Sequence, residues 1–237
     1  RSDPGRGLLG SWGGLIVLNA QTESILRHTR VVGRAGSQLP ERQDSHGITG
    51  CITLYKSDVL IEHSVFDSLQ CEDALNIISS EFNIDHVEFV GVSADAFDSD
   101  FSTGTLTNSS FRNVVNDGLD LSGSNVEVRA TRFFNIGDKA ISVGENSTLV
   151  ASELIIDGSE TGVVSKDKSV VNISNSSFRD VNNALMAYEK KVEWGPAEIH
   201  CDNCQFDNVA SVAVEQYASR STIDGNEISP TPFTRKQ

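Results

Sequence analysis

The sequence predicts an all-β chain wound as a parallel solenoid with coils of about 22 residues. Three observations carry this. Segments with a small residue ahead of an apolar one recur: EDALNI, SADAFDS, NDGLDLS, GDKAISV, ETGVVS and NNALMAY. Their small residues, Ala74, Ala96, Gly118, Ala140, Gly162 and Ala184, are spaced 22 apart five times in succession. A second column, Phe66, Phe89, Phe111, Phe133, Ile155, Phe178 and Phe206, runs six to eight residues ahead of the first. Helical spacing of i, i+3, i+4, i+7 is sustained nowhere.

The elements follow in order around each coil. One strand carries Val59, Phe82, Gly104, Val126, Thr148, Val171 or Ile199. Two residues on it carries Ile61, Ile84, Leu106, Val128, Val150, Ile173 or Cys201. A spacing of two is the alternation of a strand with one buried face. The Phe column supplies the next strand. The third holds the small residue and then Leu75, Phe97, Leu119, Ile141, Val163, Leu185 or Val214. Turns rich in Asn, Asp, Ser and Gly separate the strands. A unit this short cannot bury its apolar side alone, whereas stacked copies share one core. A seventh copy puts Ala213 29 residues after Ala184, which predicts a seven-residue insertion. Degenerate copies begin at Trp12 and Gly50.

With 237 residues, five prolines and no Pro-rich linker, residues 1–237 read as one domain. The chain starts RSDPGRG and is expected to be a fragment or module of a longer protein. A net charge of −14 repels phosphate backbones, so nucleic acid is not an expected partner. No apolar run reaches the roughly 20 residues that span a bilayer, so no membrane insertion is expected. The pattern at this point resembles the right-handed parallel β-helix of the pectin-lyase-like superfamily over roughly residues 12–225. An extracellular or cell-surface setting is the matching expectation.

In a solenoid, residues one coil apart lie about 4.8 Å apart. One column reads Asp73, Asp95, Asp117, Lys139, Thr161, Asn183, and another Asn76, Asp98, Asp120, Ser142, Val164, Met186. Leu75 and its column point inward, so Asp98 and Asp120 point outward. Carboxylates this close raise one another's pKa unless a cation intervenes. Asp95, Asp98, Asp117 and Asp120 therefore make a candidate ligand or metal site, with Ca2+ the ion such a patch could take. No cofactor is required by this reading.

Asn116-Asp117-Gly118-Leu119-Asp120 is similar to the Asn-Thr-Asp-Gly-x-Asp motif of polygalacturonases. The resemblance implies catalytic roles for Asp117 and Asp138, with Asp120 beside them. Lys139 stands where the family has the second Asp of a pair. The later Gly-His-Gly and Arg-x-Lys motifs are absent, and His46-Gly47 is several coils too early.

Cys201-x-x-Cys204 suggests zinc or redox chemistry, but both residues fall on core columns and read as buried free thiols. Cys51 and Cys71 lie on adjacent coils, where a disulfide could form. His63 and His86 should stack beside Glu62 and Asp85. The insertion after Met186 carries Tyr188, Lys190, Lys191 and Trp194, a basic and aromatic ligand-binding loop on an acidic chain. A second insertion, 33–47, should project similarly. The reading these features favour is a non-catalytic module that binds polysaccharide or other surface proteins, or serves as a spacer. The alternative is a polysaccharide-active enzyme, a uronan hydrolase, lyase or epimerase, using the Asp-rich face. In a lyase Lys139 would serve as base.

Overall fold

The computed structural model describes residues 13–33, 50–216, 218–228 and 231–232. Trp12, His46 and almost all of the 33–47 insertion lie outside them. The described chain is a parallel β-solenoid of about eight turns without a helix. One sheet of 10 strands contains Val59–Glu62, Glu81–Asp85, Thr103–Thr107, Asn125–Arg129, Thr148–Ser152, Val170–Ser174 and Glu198–Asp202. The other has 14 strands because it covers two sides of each coil. In the earlier coils those sides are separate strands, such as Ser110–Val114 and Leu119–Ser122. From Arg132–Gly144 onward they fuse into single bent strands, Ile155–Lys166, Ser177–Tyr188 and Gln205–Glu215.

Like residues stack on like. Phe66, Phe89, Phe111 and Phe133 are fully buried, with successive ring centroids 4.8, 4.7 and 4.7 Å apart. The small-residue column exists because these rings lie against it. A Cβ on Gly118 would come 2.6 Å from the Ala140 carbonyl oxygen and 2.9 Å from the Phe133 ring. Inside the corners a serine ladder joins the coils. The backbone N–H groups of Ser57, Ser80, Ser102, Ser124 and Ser147 donate to the hydroxyls of Ser80, Ser102, Ser124, Ser147 and Ser169. Each corner turns on a left-handed residue, as at His63, His86, Asn108 and Asn175.

The register departs from the counted columns in two places. Val150 is exposed and Ile155 is 38% exposed; Ala151 and Ile156 hold the core positions. The Glu145-Asn146 corner has one residue more than its predecessor, so Asn125 pairs with Thr148, 23 residues on. A bulge then removes the offset, because Gly137 and Asp138 together oppose Glu160 alone. The two irregularities cancel within a coil, so the small residues keep their 22-residue spacing. In the last repeat Leu185 pairs with Ala213, 28 residues on, so the insertion is six residues and Ala213, not Val214, extends the Leu75 column.

The cysteines correct a further expectation. Cys201 and Cys204 form a disulfide rather than free thiols, since strand end and turn bring their Cα atoms to 6.0 Å. Cys51 and Cys71 are also bonded, at a Cα separation of 5.6 Å. Both pairs close within or between neighbouring coils. Among the described residues no helix is long and apolar enough to cross a membrane.

Leu119, fully buried between Phe97 and Ile141, tests the shared core. Leu119→Ala should cost about 2–5 kcal/mol in urea unfolding, as a cavity in a ladder cannot be filled from the sides. A cost below about 1 kcal/mol would mean the column is not packed as described.

Candidate functional site

The site is built on the outer face of the strands Asp73–Ile78, Asp95–Asp100, Leu119–Ser122 and the later halves of the bent strands. Three outward rows run along the solenoid. The middle row, Asn76, Asp98, Asp120, Ser142, Val164 and Met186, is paired in direct register. On one side stand Asp73, Asp95, Asp117, Lys139 and Thr161. On the other stand Ile78, Asp100, Ser122, Gly144, Lys166 and Tyr188. Asn76, Ser142 and Val164 are buried although they face away from the core. The flanking rows stand over them, which makes the middle row the floor of a groove.

Charges on this face are crowded. Burial first, and the charges of Asp100, Asp73, Asp120 and Asp95 after it, push the Asp98 carboxyl up to about 9. Asn76 Nδ2 donates to Asp98 Oδ2 at 2.9 Å and to Asp100 Oδ2 at 3.3 Å. Asp100 is likewise raised by burial, against that hydrogen bond. Asp95 is raised by burial, although Asn116 Nδ2 and the Asp117 N–H donate to it at 2.5 and 2.8 Å. Asp117 is pushed up to about 6, chiefly by burial, with Lys139 opposing the shift.

Two lysines lean into the patch. Lys139 Nζ lies 3.3 Å from Asp117 Oδ1 and also donates to Asp138 Oδ2. Burial would lower the Lys139 ammonium, but the Asp117 charge and the Asp138 hydrogen bond overcome this and raise it. Asp117 and Asp138, matched above to polygalacturonase carboxylates, are thus bridged by an ammonium instead of facing each other as free acid and base. The bulge sets Asp138 to one side, where its side chain is 42% exposed.

Lys166 was not singled out in the sequence, yet it is buried and reaches back two coils to within 3.8 Å of Asp120 Oδ1. Gly144 makes the reach possible, because a Cβ there would lie 2.6 Å from Lys166 Cε. A sequence signal existed in the missing side chain directly between Lys166 and Ser122. Asn76 and Ser142, placed in the same outward column by the sequence but given no role, and Asp100 beside that column are also members of the site. Asp120 Oδ1, Asn76 Oδ1 and Ser142 Oγ are buried atoms without a hydrogen-bond partner.

The 189–196 loop is tied to the corners of two earlier coils. Buried Asp167 accepts the N–H groups of Lys190 and Lys191 at 2.7 and 2.6 Å, and Lys191 Nζ pairs with Glu145. Tyr188 is raised by burial and feels the charges of Lys139, Asp167, Asp138 and Asp117, so it belongs to the face. Trp194 is 39% exposed and Lys190 points to solvent, so neither joins the acid patch in this arrangement. Among the described residues no group of three or more His, Cys, Asp or Glu is assembled as a metal site, Asp95, Asp98, Asp117 and Asp120 included. His63 and His86 adjoin on neighbouring coils, but their rings are tilted by 38° at a centroid distance of 4.9 Å; His28 is the ring that stacks on His63, at 5.2 Å. A separate cleft of about 430 Å3 at another corner is lined by Arg132, Glu153, Ile155, Asn175, Asn203 and Gln205. It lacks the paired carboxylates of the groove.

A family model described as right handed beta helix region matches residues 73–228. Among solved structures the chain is similar to an alginate lyase from Paenibacillus sp. str. FPU-7. The TM-score is 0.59 at 11% identity, covering 86% of this chain and 89% of that one. It also aligns with the catalytic domain of a GH87 alpha-1,3-glucanase at TM-score 0.39 and 10% identity, over 89% of this chain and 55% of that one. No curated protein sequence matches the chain. At these identities the likeness establishes the fold alone.

Two outcomes follow from the geometry. A folded-state carboxyl raised from 3.8 to about 9 binds more protons than the unfolded one between those values, so it erodes stability as pH rises through that window. Asp98→Asn should therefore raise Tm more at pH 8 than at pH 4.5; an equal shift at both would mean Asp98 is not held protonated. In Gly144→Val the new side chain should push Lys166 off Asp120. Acetylation of Lys166, followed by mass spectrometry, should then become several-fold faster, and an unchanged rate would refute the bridge.

Proposed function

Starting from the fact that this chain belongs to the right-handed beta helix family, we propose that it is a polysaccharide-active enzyme using acid–base chemistry in the Asp98–Asp120 groove. One observation carries the reading. Two in-register carboxyls share the groove floor, one pushed up to about 9 by burial and the neighbouring acids and the other facing a lysine ammonium. Cleavage of a glycosidic linkage needs a proton donor for the leaving oxygen and a second carboxylate to activate water or stabilise the sugar cation. Asp98 is the candidate proton donor, because a raised carboxyl still carries its proton where an ordinary one has lost it. Asp120, one strand spacing away, is the candidate second carboxylate. Lys139 and Tyr188 flank the groove and would contact the polymer on either side.

A purely structural spacer gives no reason to bury Asn76 Oδ1, Asp120 Oδ1 and Ser142 Oγ without hydrogen-bond partners on one outward row. Such atoms are costly unless something meets them. One solved structure with this fold is an alginate lyase, so the fold can carry polysaccharide chemistry, though the likeness does not say which sugar is taken here. The two disulfides support an oxidising, extracellular setting.

The test is release of reducing or unsaturated ends from a panel of polysaccharides. Asp98→Asn and Asp120→Asn should each lower turnover by about 10²-fold or more while the protein stays folded. Wild-type turnover should also fall as pH rises past about 9, where Asp98 loses its proton. Retained turnover in both variants would remove the groove from the reaction.

A further inference from the structure

The groove is crowded with acceptors, and its donors are already committed. Lys139 is turned onto Asp117 and Asp138, and Lys166 onto Asp120. The Asn76 amide faces Asp98 and Asp100, and the Asn116 amide faces Asp95. Asp95, Asp98 and Asp100 have no cation within ion-pair distance among the described residues. Along the floor, Asn76 is 1% exposed and its Oδ1 has no donor. Asp120 Oδ1 has no hydrogen-bond donor and only the Lys166 ammonium at 3.8 Å, and farther along the row Ser142, fully buried, has an unpartnered Oγ. These orphan atoms are a second feature, independent of the charge. What completes the site must bring N–H or O–H donors and must not bring negative charge.

A uronate unit does the opposite. Its carboxylate accepts only, and it would enter beside several carboxyls with no free ammonium to meet it. A hexosamine unit with a free amine carries a compact cation with three donors, as a lysine ammonium does. One such group beside Asp100, which has no ion-pair partner among the described residues, would meet the negative charge of the acid row, and its ring hydroxyls could donate to Asn76 Oδ1 and Ser142 Oγ.

We infer that the groove takes a cationic amino-sugar polysaccharide, one with free amines along the chain, and rejects uronans. This rests on the reading of the groove as a polysaccharide site. It is a statement about binding, so it can be tested apart from turnover.

The experiment uses the whole chain and three hexasaccharides: glucosamine, glucose and galacturonate. Binding is measured by titration calorimetry at low and high salt, and product is assayed in the same samples. The glucosamine hexamer should bind about tenfold or more tighter than the glucose hexamer, with the advantage shrinking as salt screens it. The galacturonate hexamer should not bind measurably. In the Asp98→Asn/Asp100→Asn double variant, with folding checked by its melting curve, the advantage should disappear.

Equal or tighter binding of galacturonate would overturn the inference, as would equal binding of all three, binding of none, or an advantage that survives the double variant. Saturable calcium binding that displaces the glucosamine hexamer would overturn it too, by assigning the acid row to a metal. Amine-selective binding with no product from any hexamer leaves this inference standing and sinks the enzymatic reading. Product from galacturonate does the reverse.

Discussion

Everything in this molecule depends on coils stacking in register at the spacing of hydrogen-bonded strands. Each coil's backbone pairs with the next on all sides, so a residue's nearest neighbours are its counterparts one repeat away. That condition makes a column of Phe66, Phe89, Phe111 and Phe133 worth more than four scattered rings, because each stacks on the next. It also fixes the corners. A chain that turns at the same place in every coil needs a residue tolerant of left-handed backbone there, hence Asn113, Asn135, Asp180 and Asn208 in one row. The serine ladder then satisfies N–H groups that the corners would otherwise leave buried and unpaired.

On the outside the same rule acts against stability. Repetition that stacks rings within the core stacks carboxyls on the surface. Asp73, Asp95 and Asp117 stand on successive coils, with Asp98 and Asp120 beside them. Neutral partners such as Asn76 and Asn116 offset part of the cost, and protonation offsets more. The two lysines come from later coils and reach back along the stack. The acid patch is therefore an electrostatic consequence of the solenoid, concentrated where Asn76, Ser142 and Val164 are buried on an outward row.

The polygalacturonase-like stretch illustrates how local context redirects a motif. NDGLD does form the expected junction: Gly118 sits against the Phe133 ring, Leu119 fills the core and Asp120 faces outward. One coil on, however, the Gly137-Asp138 bulge and Lys139 convert the second carboxylate position into an ion bridge to Asp117. One row over, at Asp98 and Asp120, no ammonium bridges the two carboxyls, since Lys166 pairs with Asp120 alone.

The sequence by itself determined the architecture, because a 22-residue recurrence of small and apolar residues can bury its face only by stacking. It determined which rows face outward and that Asp95, Asp98, Asp117 and Asp120 share one face, since the alternation of a strand is a local property. Tertiary structure alone decided the rest. The extra residue at Glu145-Asn146 and the bulge at Gly137-Asp138 cancel in a count of spacings, so Val150 and Ile155 read as core until strand pairing shows Ala151 and Ile156 there. The Cys201–Cys204 bond depends on a corner geometry that column counting does not contain. Lys166 joins the site only because its flexible stem crosses Gly144 to a carboxylate two coils away. A repeat specifies where a backbone goes, but long side chains choose partners by distance and charge, and those exist only once the coils are stacked.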